Sequence, residues 1–206
     1  GKRSGRADGK TTAEEAGFPR LDKTALLAEA LQKKIFGKQG SLVLQGAEAT
    51  EARVKAEDLS RYRYLVFATH GILDGATPYL REPALVLGQA EAGPEDGFLT
   101  MGEVAQLKLN ADLVALTACQ TGVGRAIRGE GTLGLVRAFQ LAGADSVLVS
   151  LWSVAEDSTS ELARVFFAGL KDGLPPRTAL RRARAEVRRQ GYAHPFYWAP
   201  FILVGD

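Results

Sequence analysis

The sequence predicts an α/β fold of three layers, in which a central, mostly parallel sheet carries helices on both faces. Three observations support this prediction. Short apolar runs of strand length alternate along the chain with segments whose apolar residues recur at helical spacing. The runs that end at Ala68, Ala118 and Trp152 are apolar almost throughout, which is typical of parallel strands buried on both faces. The length of 206 residues fits one such domain.

The chain begins with a segment that lacks structural periodicity. Residues 1–17 are rich in Gly, Lys, Thr and Ala, so we expect a flexible tail or linker there and a single domain over residues 18–206. Apolar residues at helical spacing predict a helix from Leu21 to Ile35. The run from Ser41 to Leu44 is predicted to be a short buried strand.

The next elements lead to the first long apolar strand. Thr50 has the side chain of a helix N-cap, and the helix is expected to run through Leu59. The strand from Tyr64 to Ala68 ends in Thr69-His70-Gly71. An insertion rich in Gly and Pro then holds a short strand from Ala84 to Leu87. Thr100-Met101-Gly102-Glu103 has the form of a capping box and predicts a helix of about two turns.

The second half repeats the alternation of strand and helix. Leu113 to Ala118 is a near-continuous apolar strand that ends at Cys119. A helix from Gly131 to Ala142 is expected to stop at Gly143, and Ser146 to Trp152 forms the next buried strand. The last predicted elements are two amphipathic helices and a closing strand: Ser158–Leu170, Pro176–Gln190 and Phe201–Val204.

Composition excludes several classes of protein. With 46% hydrophobic and 24% charged residues and a mean hydropathy of −0.07, the chain is expected to fold and not to be disordered. A net charge of +2 gives no reason to expect a nucleic-acid partner, and no apolar run reaches the length of a membrane span or a signal peptide. We therefore expect a cytoplasmic protein without a membrane partner. The missing initiator Met indicates that the chain is part of a longer protein.

The chemistry of the chain centres on one thiol. A single cysteine excludes an internal disulfide, and one thiol with two histidines makes a metal cage improbable, so we expect neither metal nor cofactor. His70 and Cys119 each follow a buried strand directly, where the carboxyl ends of parallel strands place functional loops. His70 is able to accept the thiol proton of Cys119 and so generate the nucleophilic thiolate. The backbone N–H groups of Gly71 and Cys119 are candidates for an oxyanion hole.

Each of these residues also has an ordinary structural interpretation. A single Cys after an apolar strand is usually an inert core residue, and a single His is usually structural. His194, which lies in a turn beside an aromatic cluster, is interpreted as structural. The arginine-rich helix from Pro176 is interpreted as a solvated face, with a docking surface for an acidic partner or nucleic acid as the alternative. The glycines of residues 122–134 lack the Lys-Ser/Thr pair of a phosphate loop.

Seven ordered motifs between about Gly46 and Gly205 resemble the CHAT family, which comprises caspase-related domains associated with tetratricopeptide repeats. They are Phe67-Ala68-Thr69-His70-Gly71, Leu116-Thr117-Ala118-Cys119-Gln120-Thr121-Gly122, Gly129-Glu130-Gly131, Arg137-Ala138-Phe139, Ala142-Gly143-Ala144, Ser150-Leu151-Trp152 and Trp198-Ala199-Pro200-Phe201. The separation 119 − 70 = 49 is also close to the His–Cys spacing of caspases.

The resemblance implies a caspase-hemoglobinase fold, a catalytic dyad of His70 and Cys119, and cleavage of a peptide bond in a protein substrate. It also implies a repeat or sensor module in cis or in trans, in settings such as bacterial defence. Two alternatives stay open: an interaction or scaffold domain without turnover, and a small-molecule hydrolase that uses the same dyad.

Substrate recognition is assigned to Thr117, Ser150, Glu156 and Asp157. Thr117 stands where related caspases carry Gln and metacaspases Asp, and Glu156 stands where many relatives have Asp, so specificity cannot be transferred from either group. Neither the end of the Cys119 strand nor residues 150–157 offer Arg or Lys, which disfavours an acidic residue before the cleaved bond. An apolar or small residue is the first expectation and a basic residue the second, because the helix dipole alone explains Glu156 and Asp157.

Overall fold

A computed structural model of the chain describes residues 17–18, 21–72, 80–89, 93–117, 130–152 and 155–205. The strands of this part are β1 Tyr64–Phe67, β2 Gly71–Ile72, β3 Ala84–Val86, β4 Phe98–Thr100, β5 Ala111–Leu116, β6 Ala144–Ser150 and β7 Phe201–Gly205. The α-helices are α1 Asp22–Ala30, α2 Glu51–Ala56, α3 Met101–Val104, α4 Glu130–Ala142, α5 Glu156–Lys171 and α6 Pro176–Arg189. A π-helix, Leu31–Phe36, continues α1, and short 3₁₀ turns occur at Gly46–Glu48, Leu59–Arg61 and Pro195–Tyr197.

The central sheet has four strands in the order β1-β5-β6-β7. The pairs β1–β5 and β5–β6 are parallel, whereas β6–β7 is antiparallel. The three apolar runs expected in one sheet are therefore neighbours in it, and the prediction of a mostly parallel sheet is confirmed. Parallel pairing brings the carboxyl ends of β1 and β5 to the same edge of the sheet.

Helices cover both faces of this sheet, which gives the three layers expected from the sequence. On one face α1, the π-helix, α5 and α6 pack against Leu113, Ala115 and Leu148. On the other face α2, α3 and α4 pack against the alternate residues of the same strands, among them Val114 and Val147. Each such fully buried aliphatic side chain stabilises the fold by about 1.5–3 kcal/mol relative to its exposed state. Burial on both faces explains why these strands read as continuous apolar runs.

A second, antiparallel sheet in the order β2-β3-β4 follows directly from β1. One face of this small sheet, through Leu85 and Leu99, joins the core beneath α4. The other face buries Ile72, Ala84, Val86 and Phe98 in a cluster of its own. Only the middle strand of this sheet was expected from the sequence, since strands of two and three residues show too little alternation to be recognised.

Two predictions near the start of the chain need correction. The strand expected over Ser41–Leu44 is wrong, because the segment pairs with no strand in the described part and Leu42 is 41% exposed. Leu44 of this segment packs against the core although the segment is not part of a sheet in the described residues. The helix expected over Leu21–Ile35 is present, but it widens into π-helical turns at Leu31, and Leu26 on its outer side is 64% exposed.

Two capped helices are shorter than expected. The Thr50 hydroxyl accepts a hydrogen bond from the N–H of Arg53 at 3.2 Å, which confirms the cap, but α2 ends at Ala56 where Glu57 adopts an extended conformation. Thr100 and Glu103 form the predicted capping box, yet α3 continues for about one turn only. A capping motif fixes where a helix begins and carries no information on its length.

Gly143, expected to end α4, does so with a positive φ of 113°. A Cβ added here would lie 2.4 Å from the carbonyl oxygen of Leu109, in a backbone that side chains rarely adopt. We expect Gly143→Ala to lower the free energy of unfolding by about 3 kcal/mol, because strain and overpacking add. Urea denaturation followed by circular dichroism measures this loss.

Gly173 provides the matched control. Its φ of 82° is also positive, but an added Cβ would meet nothing within 4 Å. Gly173→Ala therefore isolates the cost of the backbone conformation, about 1 kcal/mol. Equal losses in the two variants would show that the contact with Leu109 is without consequence.

Candidate active site

His70 lies between the two sheets. It follows β1 by three positions and directly precedes β2. Its carbonyl oxygen accepts a hydrogen bond from the N–H of Val86 at 2.8 Å, and the hydroxyl of the preceding Thr69 donates to the carbonyl oxygen of Val86. The side chain of His70 is only 5% exposed. The antiparallel pairing with β3 therefore fixes the backbone that carries this imidazole.

An aromatic residue from the start of the chain covers this histidine. The ring of Phe18 lies 5.6 Å from the imidazole of His70, centroid to centroid, with an angle of 33° between the planes. The same ring meets Phe98 edge-on at 6.3 Å. Phe18 is the first residue after the predicted tail of residues 1–17, and nothing in its local pattern indicates this contact.

Thr117 continues the parallel pairing beyond β5. Its N–H donates to the carbonyl oxygen of Phe67 at 3.1 Å, so the chain is still held against β1 at this point. The residue is buried, with 7% of its surface exposed, and its hydroxyl has no hydrogen-bond partner in the described part of the chain. Thr117 therefore places a buried hydroxyl, without a hydrogen-bond partner among the described residues, at the carboxyl end of the sheet.

Thr117 lines a small pocket of about 20 Å³, enough for one water molecule. The pocket brings together Thr117 and Glu156, two of the residues assigned to substrate recognition. The hydroxyl of Thr159, another lining residue, is also buried without a partner among the described residues. The remaining lining residues come from α1, the turn before it and α5: Leu21, Thr24, Leu27 and Ser160.

The acidic pair at the start of α5 is in contact with Lys23. The carboxylate of Glu156 accepts a hydrogen bond from the backbone N–H of Lys23 at 3.2 Å. The ammonium group of Lys23 forms an ion pair with Asp157, and both side chains are well exposed. This ion pair raises the pKa of Lys23, and at such exposure it adds little stability. The helix predicted from Ser158 begins at Glu156 instead, so both acids lie in the first turn of α5.

Ser150 is the last residue of β6 and is buried. Its hydroxyl donates to the carbonyl oxygen of Trp152 at 2.6 Å, which shapes the turn after the strand. The indole N–H of Trp152 in turn donates to the carbonyl oxygen of Phe196 at 3.1 Å. Ser150 does not line the pocket that holds Thr117 and Glu156. The Nδ1 atom of His194 accepts from the N–H of Phe196 at 3.2 Å, in keeping with a structural role.

Several residues of the predicted site lie outside the described residues. Cys119 is among them, as are its backbone N–H and the glycines at 122, 124 and 129. Gly71, the other expected oxyanion donor, is described and begins β2. An added Cβ at Gly71 would meet no atom of the described residues within 4 Å, so they leave the space beside this residue open.

A group of charged side chains away from these residues was not expected from the sequence. One carboxylate oxygen each from Glu51, Glu95 and Glu103 could meet at a cation, since these atoms lie within 4.8 Å of one another. The position is taken by the ammonium group of Lys55, at 2.6, 2.7 and 2.8 Å from the three carboxylates. Burial raises the pKa of Glu51 to about 7, against the opposing effect of Lys55. Only the i,i+4 spacing of Glu51 and Lys55 was visible in the sequence.

The arginines of α6 are mostly engaged with the domain itself. Arg184 donates to the carbonyl oxygen of Phe201 and Arg177 to that of Gly205, so both contact the edge of β7. Arg188 lies over the ring of Trp198 at 5.1 Å. Apart from the half-buried Arg184 the arginines of α6 are exposed, which agrees with the predicted solvated face, and their contacts with the domain argue against a docking surface. No helix in the described part of the chain is long and apolar enough to span a bilayer.

Comparison with known proteins agrees with this architecture. The CHAT domain family matches residues 3–206. Tetratricopeptide repeat protein 28 of Mus musculus is 35% identical over 109 residues, and that of Homo sapiens is 36% identical over 109 residues. These stretches cover 52% of this chain but only 4% of either relative. With the caspase-like three-layer arrangement and the family match in agreement, the chain belongs to the CHAT domain family.

Proposed function

We propose that the chain is a cysteine endopeptidase in which Cys119 is the nucleophile and His70 is its base. The observation that carries the proposal is the register of β1 and β5, in which Phe67 is paired with Leu116. His70 follows the first of these residues by 70 − 67 = 3 positions, and Cys119 follows the second by 119 − 116 = 3 positions. Equal offsets from one pair at the same sheet edge favour an encounter of the two side chains.

The reaction follows from the chemistry of these two groups. His70 takes the proton of the Cys119 thiol, and the thiolate attacks the carbonyl carbon of the peptide bond. The C–N bond breaks as a thioester forms, and the leaving amine receives the proton from His70. Water, deprotonated by His70, then attacks the thioester and releases the acid and the thiol.

The backbone at Gly71 supports an oxyanion hole. Val86 and His70 form a hydrogen-bonded antiparallel pair, so the next pair, Gly71 with Leu85, is of the non-hydrogen-bonded type. The N–H of Gly71 therefore points away from β3, and the absence of a side chain leaves open space beside it. Together with the backbone N–H of Cys119 it would stabilise the negative charge on the carbonyl oxygen.

For the residue before the cleaved bond, the pocket of Thr117 and Glu156 is the proposed recognition site, with Ser150 and Asp157 shaping its surroundings. Its volume of about 20 Å³ favours a small side chain. The carboxylate of Glu156 lines the pocket, but it already accepts the N–H of Lys23, and Asp157 is paired with the Lys23 ammonium. A small or apolar residue therefore remains the first expectation and a basic residue the second.

Cleavage of an unbiased peptide library tests both the activity and this preference. We expect products that end in a small or apolar residue, with the same preference in Glu156→Gln and Asp157→Asn. Mass spectrometry of the new termini identifies the residue before each cut. A strong Arg or Lys preference that disappears in these variants would contradict the expected specificity, and no cleavage of any peptide would contradict the peptidase.

One observation favours an interaction domain without turnover as a second candidate. The side chain of His70 is almost completely buried, and Phe18 lies against it, so a substrate would have to displace this ring. In either case we propose a tetratricopeptide repeat module in cis as partner, because the relatives that match this chain are named for such repeats. A thiol-reactive activity probe separates the candidates, since a scaffold needs no reactive Cys119.

A further inference from the structure

One face of the small sheet β2-β3-β4, next to His70, is packed against individual side chains. Ile72, Ala84, Val86 and Phe98 are buried there to 7% exposure or less, apart from the core of the domain. Among the described residues, the apolar side chains packed against this cluster are Phe18 and Leu80. Within the part of the chain that the structure describes, this buried apolar face is closed by two single side chains, whereas the central sheet is closed by whole helices.

Phe18 is also weakly attached to the rest of the domain. Its ring is partly exposed and touches the rings of His70 and Phe98. After Phe18, Leu21 lines the pocket of Thr117, and Lys23 contacts Glu156 and Asp157 at the exposed start of α5. Among the described side chains of α1, the first deeply buried one is Leu27, at 4% exposure. The segment before Leu27 is therefore held by contacts near the surface, and Phe18 is attached through its ring contacts with His70 and Phe98.

We propose that the apolar depression formed by Ile72, Leu80, Ala84, Val86 and Phe98 is a substrate subsite, and that Phe18 occupies it when no substrate is bound. This inference rests on the proposed peptidase function. Because His70 gives its proton to the leaving amine, the residues that follow the cleaved bond must lie beside this imidazole. The depression accordingly binds an apolar side chain of the leaving peptide. The bound ring of Phe18 indicates that aromatic and large aliphatic side chains fit there.

The occupancy by Phe18 has a consequence for access to His70. While the ring covers the imidazole, a substrate carbonyl cannot approach the base without displacing it. Substrate and Phe18 compete for one site. The apparent affinity for peptides is therefore the intrinsic affinity multiplied by the fraction of molecules in which Phe18 has left the depression.

The chemical accessibility of His70 provides a test that does not depend on catalysis. The chain has two histidines, and the other, His194, is exposed and serves as an internal reference. We expect Phe18→Ala to raise the rate of diethyl pyrocarbonate modification of His70, relative to His194, by about fivefold to tenfold, the factor that loss of an aromatic contact implies. Mass spectrometry of the digested protein gives both rates.

Two further variants control for indirect effects. Phe18→Leu retains apolar bulk and should raise the modification rate of His70 less than Phe18→Ala does. Leu26→Ala, which changes a side chain that is 64% exposed on α1, should leave the rate unchanged. An unchanged rate in Phe18→Ala and Phe18→Leu, each shown by urea denaturation to be folded, would overturn the proposal.

Peptides that differ only in the residue after the cleaved bond test the subsite itself. We expect wild type to favour Phe or Leu over Ser there. Because Phe18 must leave before any peptide binds, Phe18→Ala should lower KM for all three peptides by about fivefold and keep this order of preference. No preference for Phe or Leu over Ser would overturn the subsite. Faster modification of His70 without cleavage by any variant would instead overturn the peptidase and support Phe18 as the cover of His70.

Discussion

Cys119→Ala is expected to abolish peptide cleavage, with a loss in kcat/KM of about 10⁴-fold or more, because alanine has no nucleophile. His70→Ala should reduce kcat/KM by about 10³-fold, since the thiol then lacks a base and the leaving amine lacks an acid. The double variant should be no worse than Cys119→Ala, because the two groups act as one unit. Cleavage of a fluorogenic peptide measures all three.

The controls for this prediction come from the composition of the chain. His194→Ala removes the second of only two histidines and should retain the activity of wild type. Because Cys119 is the single cysteine, alkylation by iodoacetamide reports on its thiolate alone, and His70→Ala should slow this reaction. Turnover by Cys119→Ala, or alkylation at the same rate with and without His70, would refute the dyad.

The sequence predicted the central sheet well because its strands are buried on both faces. Burial of Val114, Ala115, Val147 and Leu148 leaves an uninterrupted apolar run that no solvent-exposed face dilutes. The parallel order of these strands then follows from the helices between them. The interpretation of short apolar runs as buried strands also predicted a strand over Ser41–Leu44. In the described part of the chain this segment forms no ladder, so an apolar run by itself does not specify strand pairing.

The surroundings of the candidate site were less predictable, because they depend on contacts between residues distant in sequence. His70, Thr117 and Glu156 were identified from their positions at strand or helix ends. The contact of Phe18 with His70 spans 52 positions (70 − 18), and that of Lys23 with Asp157 spans 134. Local periodicity carries no information on such pairs, and Phe18 stands at the boundary between the predicted tail and the predicted domain, outside any periodic segment.

The charged cluster around Lys55 shows the same limitation and leads to the second prediction. Its ammonium group donates hydrogen bonds to Glu95 and Glu103 and forms an ion pair with Glu51 at 2.6 Å. Glu51 is 1% exposed and also accepts the N–H of Gly97 at 2.9 Å. The cluster thereby joins α2 to the turn before β4 and to the cap of α3.

Lys55→Met is expected to destabilise the protein strongly, because it retains the apolar stem and removes the only cation among three carboxylates. Breaking a buried ion pair costs about 3–5 kcal/mol, and since the Lys55 side chain is 26% exposed we expect about 3 kcal/mol at pH 8. Urea denaturation at several pH values measures the loss. A loss below about 1 kcal/mol would place this cluster with ordinary surface ion pairs.

The sign of the pH dependence follows from the pKa shifts. In wild type, burial raises the pKa of Glu51 to about 7, so the folded state binds this proton more tightly than the unfolded state does. The contribution of Glu51 to the free energy of unfolding is therefore most favourable below pH 4.5 and is lost as the pH rises through 7. The Lys55 ammonium lowers the pKa of Glu95. Burial alone would raise the pKa of Glu103, but the hydrogen bonds from Lys55 and Thr100 together lower it, so both carboxylates stabilise the fold above pH 4.5 and lose this effect as the pH falls. Without Lys55 the pKa values of all three carboxyl groups rise. The loss in free energy of unfolding caused by Lys55→Met should therefore be smaller at pH 5 than at pH 8.

A second substitution distinguishes electrostatics from packing in this cluster. Glu51→Gln removes the most buried carboxylate and keeps an acceptor for the N–H of Gly97, so Lys55→Met/Glu51→Gln should be more stable than Lys55→Met at pH 8.

The effect of Lys55→Met should extend to the backbone beside His70. The backbone N–H of Glu51 donates to the carbonyl oxygen of Gly88 at 3.1 Å, just beyond β3, and the N–H of Val86 in β3 donates to the carbonyl oxygen of His70. Hydrogen exchange at the Val86 amide should therefore be faster in Lys55→Met and recover in the double variant. A deficit that is the same at pH 5 and pH 8, and that Glu51→Gln does not relieve, would show that Lys55 acts through its packed stem and not through its charge.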